Sequence, residues 1–447
     1  MVEAQLLAVN VLERVATGRN LDTELAAVWR QLPRDAHPQN PQQRALVQDL
    51  CYGVLRHRGA IDAMLVPLLT KPLRDERLRQ LLRIGLYQLQ HTHAAPHAVV
   101  DQAVQACIAL PAVAAKGLIN AVLRGFLRRK PELLAASEAN DEGRYSFPSW
   151  WIKRIQAQYP AHYASLLQAG NRHAPLTLRV NARRTTREAY LARLAADGIA
   201  ATALESHAVV LDKAMPVQRL PGFAEGEVSV QDASAQRAAV LLEAQNGMRV
   251  LDACAAPGGK TAHILELADV ALTALDNDAA RLERVNDNLR RLGLAANVVC
   301  GDAASDAWWD NKPFDRILAD VPCSASGVTR RHPDIKWSRR ESDIAPFVAR
   351  QQTIVDALWR LLAPGGKFLY VTCSVFREEN QLQVERFIER HADARLQTLP
   401  YDGFNGFGAF DAVGGLPTAT VQQEQHAGQI LPDAVHDGFY YALLQKH

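Results

Sequence analysis

The stretch "LDACAAPGGKTAHIL" (residues 251–265) decides the fold class of the C-terminal half of the chain. It begins inside the apolar run "RVLDA" (249–253), turns on two glycines and leads into a helical pattern. A short apolar run that turns on glycines into a helix is typical of the first strand and helix of a nucleotide-binding α/β sheet. The ligand of this turn then has to be worked out from the residues around it.

A triphosphate is the first candidate, because Gly259-Lys260-Thr261 matches the end of a P-loop. A P-loop requires G-x-x-x-x-G-K-[ST], which puts the first glycine at position 254. That position is Cys254, and Pro257 lacks the backbone N–H that would bind phosphate. The sequence therefore argues against a P-loop ATPase.

Further apolar runs follow at regular intervals, with helical patterns between them. They span 270–276, 297–302, 314–320 and 366–373. Strands that alternate with helices indicate a mostly parallel, doubly wound sheet. We therefore predict a Rossmann-like α/β domain over residues 235–447.

Four of the predicted strands end on or near an aspartate: Asp252, Asp276, Asp302 and Asp320. A single aspartate at such a place is often a helix cap or turn former. Four together predict one acidic edge of the sheet, because the carboxyl ends of parallel strands meet there. Asp276, the second of them, lies where an acidic residue binds ribose in dinucleotide-binding folds. Such an edge repels triphosphate and suits a ribose, an amino group and a positive charge, as in S-adenosylmethionine.

Two of the six cysteines, Cys323 and Cys373, follow predicted strands of the same sheet edge. No cysteines are spaced C-x-x-C, so the sequence indicates neither a zinc site nor a disulfide framework, and we expect no metal. A thiolate that adds to carbon 6 of cytosine makes carbon 5 nucleophilic toward a methyl donor. The base must leave its stack, which favours single-stranded or loop RNA. Asp320 is the candidate to bind the pyrimidine, and the residues alone do not rank the two cysteines.

Residues 1–130 show helical periodicity and hold 17 basic against 10 acidic residues, whereas the rest of the chain holds 33 against 38. A basic front indicates either RNA binding or an ordinary solvated helical surface. Arg124, Arg128, Arg129 and Lys130 are expected at the end of a helix, where they suit the helix dipole or contact phosphate. Residues 131–150 are predicted to form a connector, and a small α+β module is predicted near 160–230.

The basic, aromatic-containing run after the "PC" cysteine is a second candidate for RNA contact. It contains Arg330, Arg331, His332, Lys336 and Trp337. We expect it to hold the RNA backbone, the alternative being a plain surface loop.

The motifs "DACAAPGGKT" (252–261), "DVPCSASGV" (320–328), "RRHPDIKW" (330–337), "VTCSV" (371–375) and "EEN" (378–380) resemble those of the Sun/NOL-type RNA 5-methylcytosine methyltransferases. The helical front resembles the RNA-binding protein NusB. The resemblance implies a NusB-like domain over 1–140, a linker and RRM-like module over 141–234, and a catalytic domain over 235–447. It also implies S-adenosylmethionine as cofactor and small-subunit (16S) ribosomal RNA as substrate.

The resemblance assigns roles to individual residues. Cys373 would attack the base, Cys323 would help to release the product, and Asp320 would lie between cofactor and cytosine. Asp276 and Asp302 would bind ribose and adenine. The cofactor loop would be Cys254, Ala255, Ala256, Pro257, Gly258, Gly259 and Lys260. Ala325 departs from the family, which usually has glycine there; alanine is tolerated if the backbone is not left-handed.

The alternative function is a non-catalytic, NusB-like RNA-binding factor in ribosome assembly or antitermination. The N-terminus lacks the basic start of a signal peptide, and no apolar run is long enough to span a membrane. We therefore expect a cytoplasmic protein without membrane contact, and the sequence indicates no obligate protein partner.

Overall fold

A computed structural model describes residues 1–31, 41–110, 113–399 and 428–447. The chain divides into two units. A helical unit comprises Met1–His173 together with Thr329–Glu341, and a sheet-containing unit comprises Ala174–Val328 and Ser342–His447.

The helical unit forms because apolar residues recur every three or four positions along its helices. In the first helix, Ala4, Ala8, Val11 and Val15 lie on one buried face. Burial of such faces, at roughly 25 cal/mol per Å² of apolar surface, supplies the main stabilisation. The helices are α1 (Val2–Ala16), α2 (Leu21–Gln31), α3 (Pro41–Arg56), α4 (Arg58–Leu65), α5 (Glu76–His91), α6 (Pro96–Ala109), α7 (Lys116–Glu138), α8 (Asp141–Tyr145), α9 (Ser149–Gln158) and α10 (Tyr163–Ala169).

Helix α7 consists of two helical segments that meet at a kink. The dihedral angles of Arg129 are non-helical, two residues before Pro131, and a second helical segment continues to Glu138. Proline removes a helical hydrogen bond and clashes with the preceding turn, which accounts for the kink. Residues 131–150 are thus largely helical, so the predicted connector is wrong. The basic cluster therefore stands at the C-terminal end of the first helical segment, as predicted, where its charge suits the helix dipole.

A small antiparallel sheet opens the second unit. Its elements are β1 (Leu176–Val180), α11 (Arg187–Ala196), β2 (Ala201–Ala203), β3 (Ala208–Leu211) and β4 (Val228–Val230), and the strand order is β2-β3-β1-β4. The hydroxyl of Thr186 accepts a hydrogen bond from the Ala189 N–H (3.2 Å) and so caps α11. Buried Tyr190 and Leu194 of that helix pack with Leu178 and Val209 of the sheet.

The large sheet follows. Its strands lie in the order β10-β12-β9-β8-β5-β6-β7, with β11 paired to β12. The strands β7, β6, β5, β8 and β9 are parallel, and β12 is antiparallel to its neighbours. The elements are α12 (Ala233–Leu241), β5 (Arg249–Ala253), α13 (Gly259–Leu267), β6 (Ala271–Asp276), α14 (Ala279–Leu292), β7 (Asn297–Cys300), β8 (Phe314–Asp320), α15 (Ile335–Ser338), α16 (Ile344–Arg360), β9 (Leu362–Thr372), α17 (Gln381–Arg390), β10 (Ala394–Gln397), β11 (Gln429–Ile430) and β12 (Phe439–Lys446).

The predicted fold class is confirmed: helices, then a small α+β module, then a mostly parallel α/β sheet. The predicted strands 249–253 and 314–320 coincide with β5 and β8. Strand β9 begins at Leu362, four residues before its predicted start. Within the described part of the chain, no helix has both the length and the apolar character needed to cross a membrane.

The segment Thr329–Glu341, which contains α15, belongs to the helical unit. Lys336 is fully buried there, and its Nζ donates to the carbonyls of Arg56 (2.8 Å) and Ser146 (2.9 Å) and to Asn171 Oδ1 (2.7 Å). The Trp337 indole donates to the Leu55 carbonyl (2.7 Å). Arg330 is buried as well. The predicted RNA contact and the alternative of a plain surface loop are therefore both wrong for Lys336 and Arg330. Their side chains are buried inside the helical unit.

Candidate active site

The loop between β5 and α13 turns sharply. Cys254 has a positive φ of 61°, Gly258 has a φ of 93°, and the helix begins at Gly259. A Cβ on Gly258 would lie 3.1 Å from the Cα of Val285, so both its dihedral angle and its close approach to α14 favour glycine. Left-handed backbone at a residue such as Cys254 is uncommon and concentrates at functional sites.

Asp276, at the end of β6, fixes this loop. Its Oδ2 accepts a hydrogen bond from the Ala256 N–H (3.1 Å), and its Oδ1 accepts one from the Asp278 N–H (3.1 Å). The side chain is buried, yet each carboxylate oxygen can accept a second hydrogen bond. Asp276 therefore lies against the cofactor loop, on the edge where the sequence predicted it.

Asp302 lies two residues beyond β7 and is largely exposed. Its Oδ1 accepts from the Ala304 N–H (2.9 Å) and from the guanidinium of Arg350 in α16. The backbone hydrogen bond and the arginine lower the pKa of Asp302, so it is ionised at neutral pH. Arg350 could not be predicted as the partner of Asp302, because helix α16 is distant in the chain and carries its own amphipathic pattern.

Asp252 is fully buried at the end of β5. Its Oδ2 accepts from the Thr261 hydroxyl (2.5 Å), and its Oδ1 makes no hydrogen bond with the described residues. Burial is the main reason why the pKa of Asp252 is raised to about 7. A buried carboxyl oxygen without a partner, beside the cofactor loop, marks a place where a ligand donor is missing.

Lys260 and Asp320 form an ion pair, with Nζ 2.6 Å from Oδ2. Burial acts to lower the pKa of Lys260, but the charge and hydrogen bond of Asp320 outweigh it, and the pKa is raised. The ammonium also lies 5.3 Å from the centre of the Phe439 ring, a cation–π contact. The last residue of the cofactor loop is thus tied to the aspartate that ends β8.

The two cysteines that were predicted at this sheet edge, Cys323 and Cys373, lie next to each other. Strands β8 and β9 are parallel neighbours, with Asp320 opposite Val371, so the turns that follow them lie side by side. The sulfur atoms of Cys323 and Cys373 are 3.5 Å apart, within hydrogen-bond distance. The pKa of Cys323 is raised, first by this hydrogen bond and then by burial and by the charges of Cys373 and Glu379. Cys323 is therefore a thiol at neutral pH.

Ala325, the departure from the family pattern, has a φ of 59°. The condition for an unstrained alanine is not met, because the backbone there is left-handed. This conformation costs an L-residue about 1–2 kcal/mol. The strained residue lies two positions after Cys323, in the same loop.

The comparisons with known proteins follow the same division of the chain. Residues 239–445 match the family "16S rRNA methyltransferase RsmB/F", residues 147–218 match its ferredoxin-like domain, and residues 2–128 match the NusB family. A ribosomal RNA small subunit methyltransferase B of Vibrio cholerae is 44% identical over 439 residues, which cover 97% of this chain and 94% of the relative. The chain belongs to the RsmB/F family of 16S rRNA methyltransferases.

A second relative supports this membership, and two solved structures share the fold. A ribosomal RNA small subunit methyltransferase B of Sodalis glossinidius is 46% identical over 421 residues, which cover 93% of this chain and 92% of the relative. The solved structure of PH0851 shares the fold of this RsmB/F chain over 99% of both chains, with a TM-score of 0.76 at 22% identity. NSun6 from Pyrococcus horikoshii, solved with SFG, covers 67% of this chain and 98% of its own, with a TM-score of 0.56 at 19% identity.

The structure of this RsmB/F chain thus brings the predicted loop, Asp276, Asp320, Cys323 and Cys373 to one edge of the sheet. Two further polar residues at this edge, Arg350 and Glu379, were not predicted from the sequence. Arg350 binds Asp302, and Glu379 accepts hydrogen bonds from Ser324 and Ser374, the residues that follow the two cysteines. Glu379 stands in the "EEN" motif, but its burial among serines has no periodic signal in the sequence.

Proposed function

We propose that this chain methylates carbon 5 of a cytosine in 16S ribosomal RNA and that Cys373 is the nucleophile. The family gives the coarser activity, methylation of 16S rRNA. The observation that carries the finer proposal is the pair of sulfur atoms, 3.5 Å apart, beside Asp320 and the cofactor loop. Cytosine needs such a thiolate because its carbon 5 is a poor nucleophile.

S-adenosylmethionine is the cofactor, and it supplies an electrophilic methyl group. The residues present fit it. Asp276 and Asp302 offer acceptors for ribose and adenine at the edge of the sheet. The unpartnered Oδ1 of Asp252 adds a further acceptor on the same acidic edge, which suits a ligand with an amino group and a positive charge.

Cys373 opens the reaction. Its thiolate forms a bond to carbon 6, and the ring electrons shift so that carbon 5 becomes nucleophilic. Once carbon 5 carries the methyl group, its proton leaves to a base, and the electron pair of that C–H bond restores the ring double bond as the bond between carbon 6 and sulfur breaks. Cys373 returns as a thiolate, so the enzyme is unchanged after one turnover.

Cys323 is assigned to the release step. Its pKa is raised chiefly by the hydrogen bond to Cys373, and the charge of Cys373 adds to this. Both effects disappear once Cys373 is bonded to carbon 6, so the Cys323 thiol loses its proton to solvent more readily at that stage. The resulting thiolate is proposed to accept the carbon 5 proton, which returns Cys323 to its thiol form. Burial and the charge of Glu379 still oppose this ionisation.

Asp320 is assigned to binding the pyrimidine. Its Oδ2 is occupied by Lys260, and its Oδ1 is proposed to accept a hydrogen bond from the exocyclic amino group of cytosine. The ion pair with Lys260 holds the Asp320 side chain in place, and its second carboxylate oxygen is a hydrogen-bond acceptor.

The test is incubation of the protein with labelled methyl donor and 16S rRNA, followed by bisulfite sequencing and by denaturing gels that retain covalent protein–RNA adducts. Cys373→Ala is expected to abolish both transfer and adduct. Cys323→Ala is expected to accumulate adduct, because release fails. Accumulation in the first variant and not in the second would reverse the assignment. RNA binding without methyl incorporation by the wild type would favour the non-catalytic assembly factor.

A further inference from the structure

The loops that carry the two cysteines share one buried carboxylate. Ser324 follows Cys323 and Ser374 follows Cys373, and both serines are fully buried. The Ser324 hydroxyl donates to Glu379 Oε2 (2.5 Å) and its N–H donates to Oε1 (2.8 Å). The Ser374 hydroxyl donates to the same Oε2 (2.6 Å). A single side chain therefore joins the residues that immediately follow both sulfurs.

We propose that Glu379 is a positioning residue that sets the separation of the Cys323 and Cys373 sulfurs. The catalytic importance of this separation rests on the proposed function. The hydrogen bonds that define it are independent of the substrate. Glu379 touches neither sulfur through a hydrogen bond; it acts through Ser324 and Ser374.

The carboxylate is itself held firmly. Gln351 Nε2 donates both to Glu379 Oε1 (3.2 Å) and to the carbonyl of Pro322 (3.0 Å), the residue before Cys323. The Tyr370 hydroxyl donates to the Glu379 carbonyl (2.6 Å). Burial raises the pKa of Glu379, and the four hydrogen bonds to its two oxygens act in the opposite direction. The Cys323 loop is thus tied to the carboxylate on both sides of the cysteine.

The Cys373 loop is tied on both sides as well. The neighbouring Asn380 accepts from the Thr372 hydroxyl (2.6 Å), and its amide donates to the Ser374 carbonyl (2.9 Å). The Ser326 and Ser374 hydroxyls lie 2.9 Å apart, which adds a direct link between the loops. Because every polar group is paired, a loss at Glu379 leaves several buried donors without an acceptor.

The equilibrium constant for forming a disulfide between Cys323 and Cys373 reports how closely the two sulfurs are held. A disulfide bond is about 2.05 Å long, so 3.5 Å between the sulfurs requires only a small movement. In a glutathione buffer, two thiols and one oxidised glutathione give one protein disulfide and two reduced glutathiones. The equilibrium constant, read by peptide mass spectrometry of the Cys323–Cys373 peptide, is the effective concentration of one sulfur at the other.

We expect Glu379→Gln to lower this effective concentration at least about tenfold, because an amide N–H₂ faces donors that need an acceptor. The matched control is Val384→Ala, which removes buried packing in α17 without touching the network. Glu385→Gln, on the exposed side of the same helix, controls for lost charge. A value for Glu379→Gln within about twofold of both controls would overturn the proposal, since a merely stabilising role predicts no specific change.

Single serine variants keep the test decisive if Glu379→Gln does not fold. Ser324→Ala and Ser374→Ala should each lower the effective concentration, and together they should fall short of additivity because they share one acceptor. No change in either variant contradicts the proposal. The measurement needs neither RNA nor methyl donor. A lowered value in a protein whose wild type transfers no methyl group would therefore leave Glu379 in place and refute only the proposed function.

Discussion

At the residue scale, two aspartates of the candidate site are each paired with a basic side chain from another part of the chain, Asp302 with Arg350 and Asp320 with Lys260. Aspartates at the ends of strands and cysteines in the turns after strands lie at positions that the parallel topology brings to one edge of the sheet. The partners of these residues come from helices whose patterns report only burial. In the sequence, Arg350 is one residue of an ordinary amphipathic helix. Only the structure shows that its guanidinium contacts Asp302.

Ala325→Gly gives a prediction at this scale. Relief of the left-handed conformation gains about 1–2 kcal/mol, and the greater freedom of glycine in the unfolded chain costs about 0.4–1 kcal/mol. We expect a net gain of about 0.5–1 kcal/mol in the free energy of unfolding, measured by chemical denaturation. Ala349→Gly, within α16, should instead lose about 1 kcal/mol. Equal losses in both variants would show that Ala325 is unstrained.

At the element scale, the parallel strands were predictable because each is a short apolar run between turn signals. The antiparallel strand β12 was not recognised, although it lies between β9 and β10. Its residues, "FYYALLQK", lack the alternation of a half-buried strand because both faces are buried. A run of this kind near the chain end does not reveal which strand it pairs with.

The segment before β12 is anchored by His436, whose ring contacts Asp433 (3.1 Å) and Glu205 (3.4 Å), a residue of the β2–β3 connection. Burial acts to lower the pKa of His436, but its hydrogen bonds to the two carboxylates prevail and raise the pKa to about 9. The folded pKa exceeds the usual 6.5, so the stabilisation is complete below about pH 6.5 and is lost as the pH rises through about 9.

His436→Gln is therefore expected to lower the free energy of unfolding by about 3 kcal/mol at pH 6, and by much less at pH 9.5. Denaturant titrations at both pH values measure the difference, with His447→Gln as the control at the exposed C-terminus. A loss that is the same at both pH values would mean that the ring is not held as a cation.

At the scale of the whole molecule, the division into helical, small-sheet and large-sheet parts followed from changes in periodicity along the chain. The membership of Thr329–Glu341 in the helical unit did not. Its basic and aromatic residues have the composition of an RNA-binding loop, and composition does not distinguish a lysine that binds phosphate from one that satisfies buried carbonyls. Lys336 is of the second kind.

Lys336→Met tests this placement. The substitution leaves the carbonyls of Arg56 and Ser146 and the Asn171 side chain without a donor, at a cost of about 3 kcal/mol or more. Hydrogen exchange should show faster opening of α3 and α8, whereas Lys116→Met, at an exposed position of α7, should leave both unchanged. Unaltered protection in Lys336→Met would contradict a structural role for the buried amino group of Lys336.

The order of synthesis gives Lys336 a further consequence. The ribosome releases residues 1–173 and then the whole of 174–328 before this lysine emerges. Until then the nascent helices lack the donor for the carbonyls of Arg56 and Ser146, so these helices complete their hydrogen bonding only late in translation.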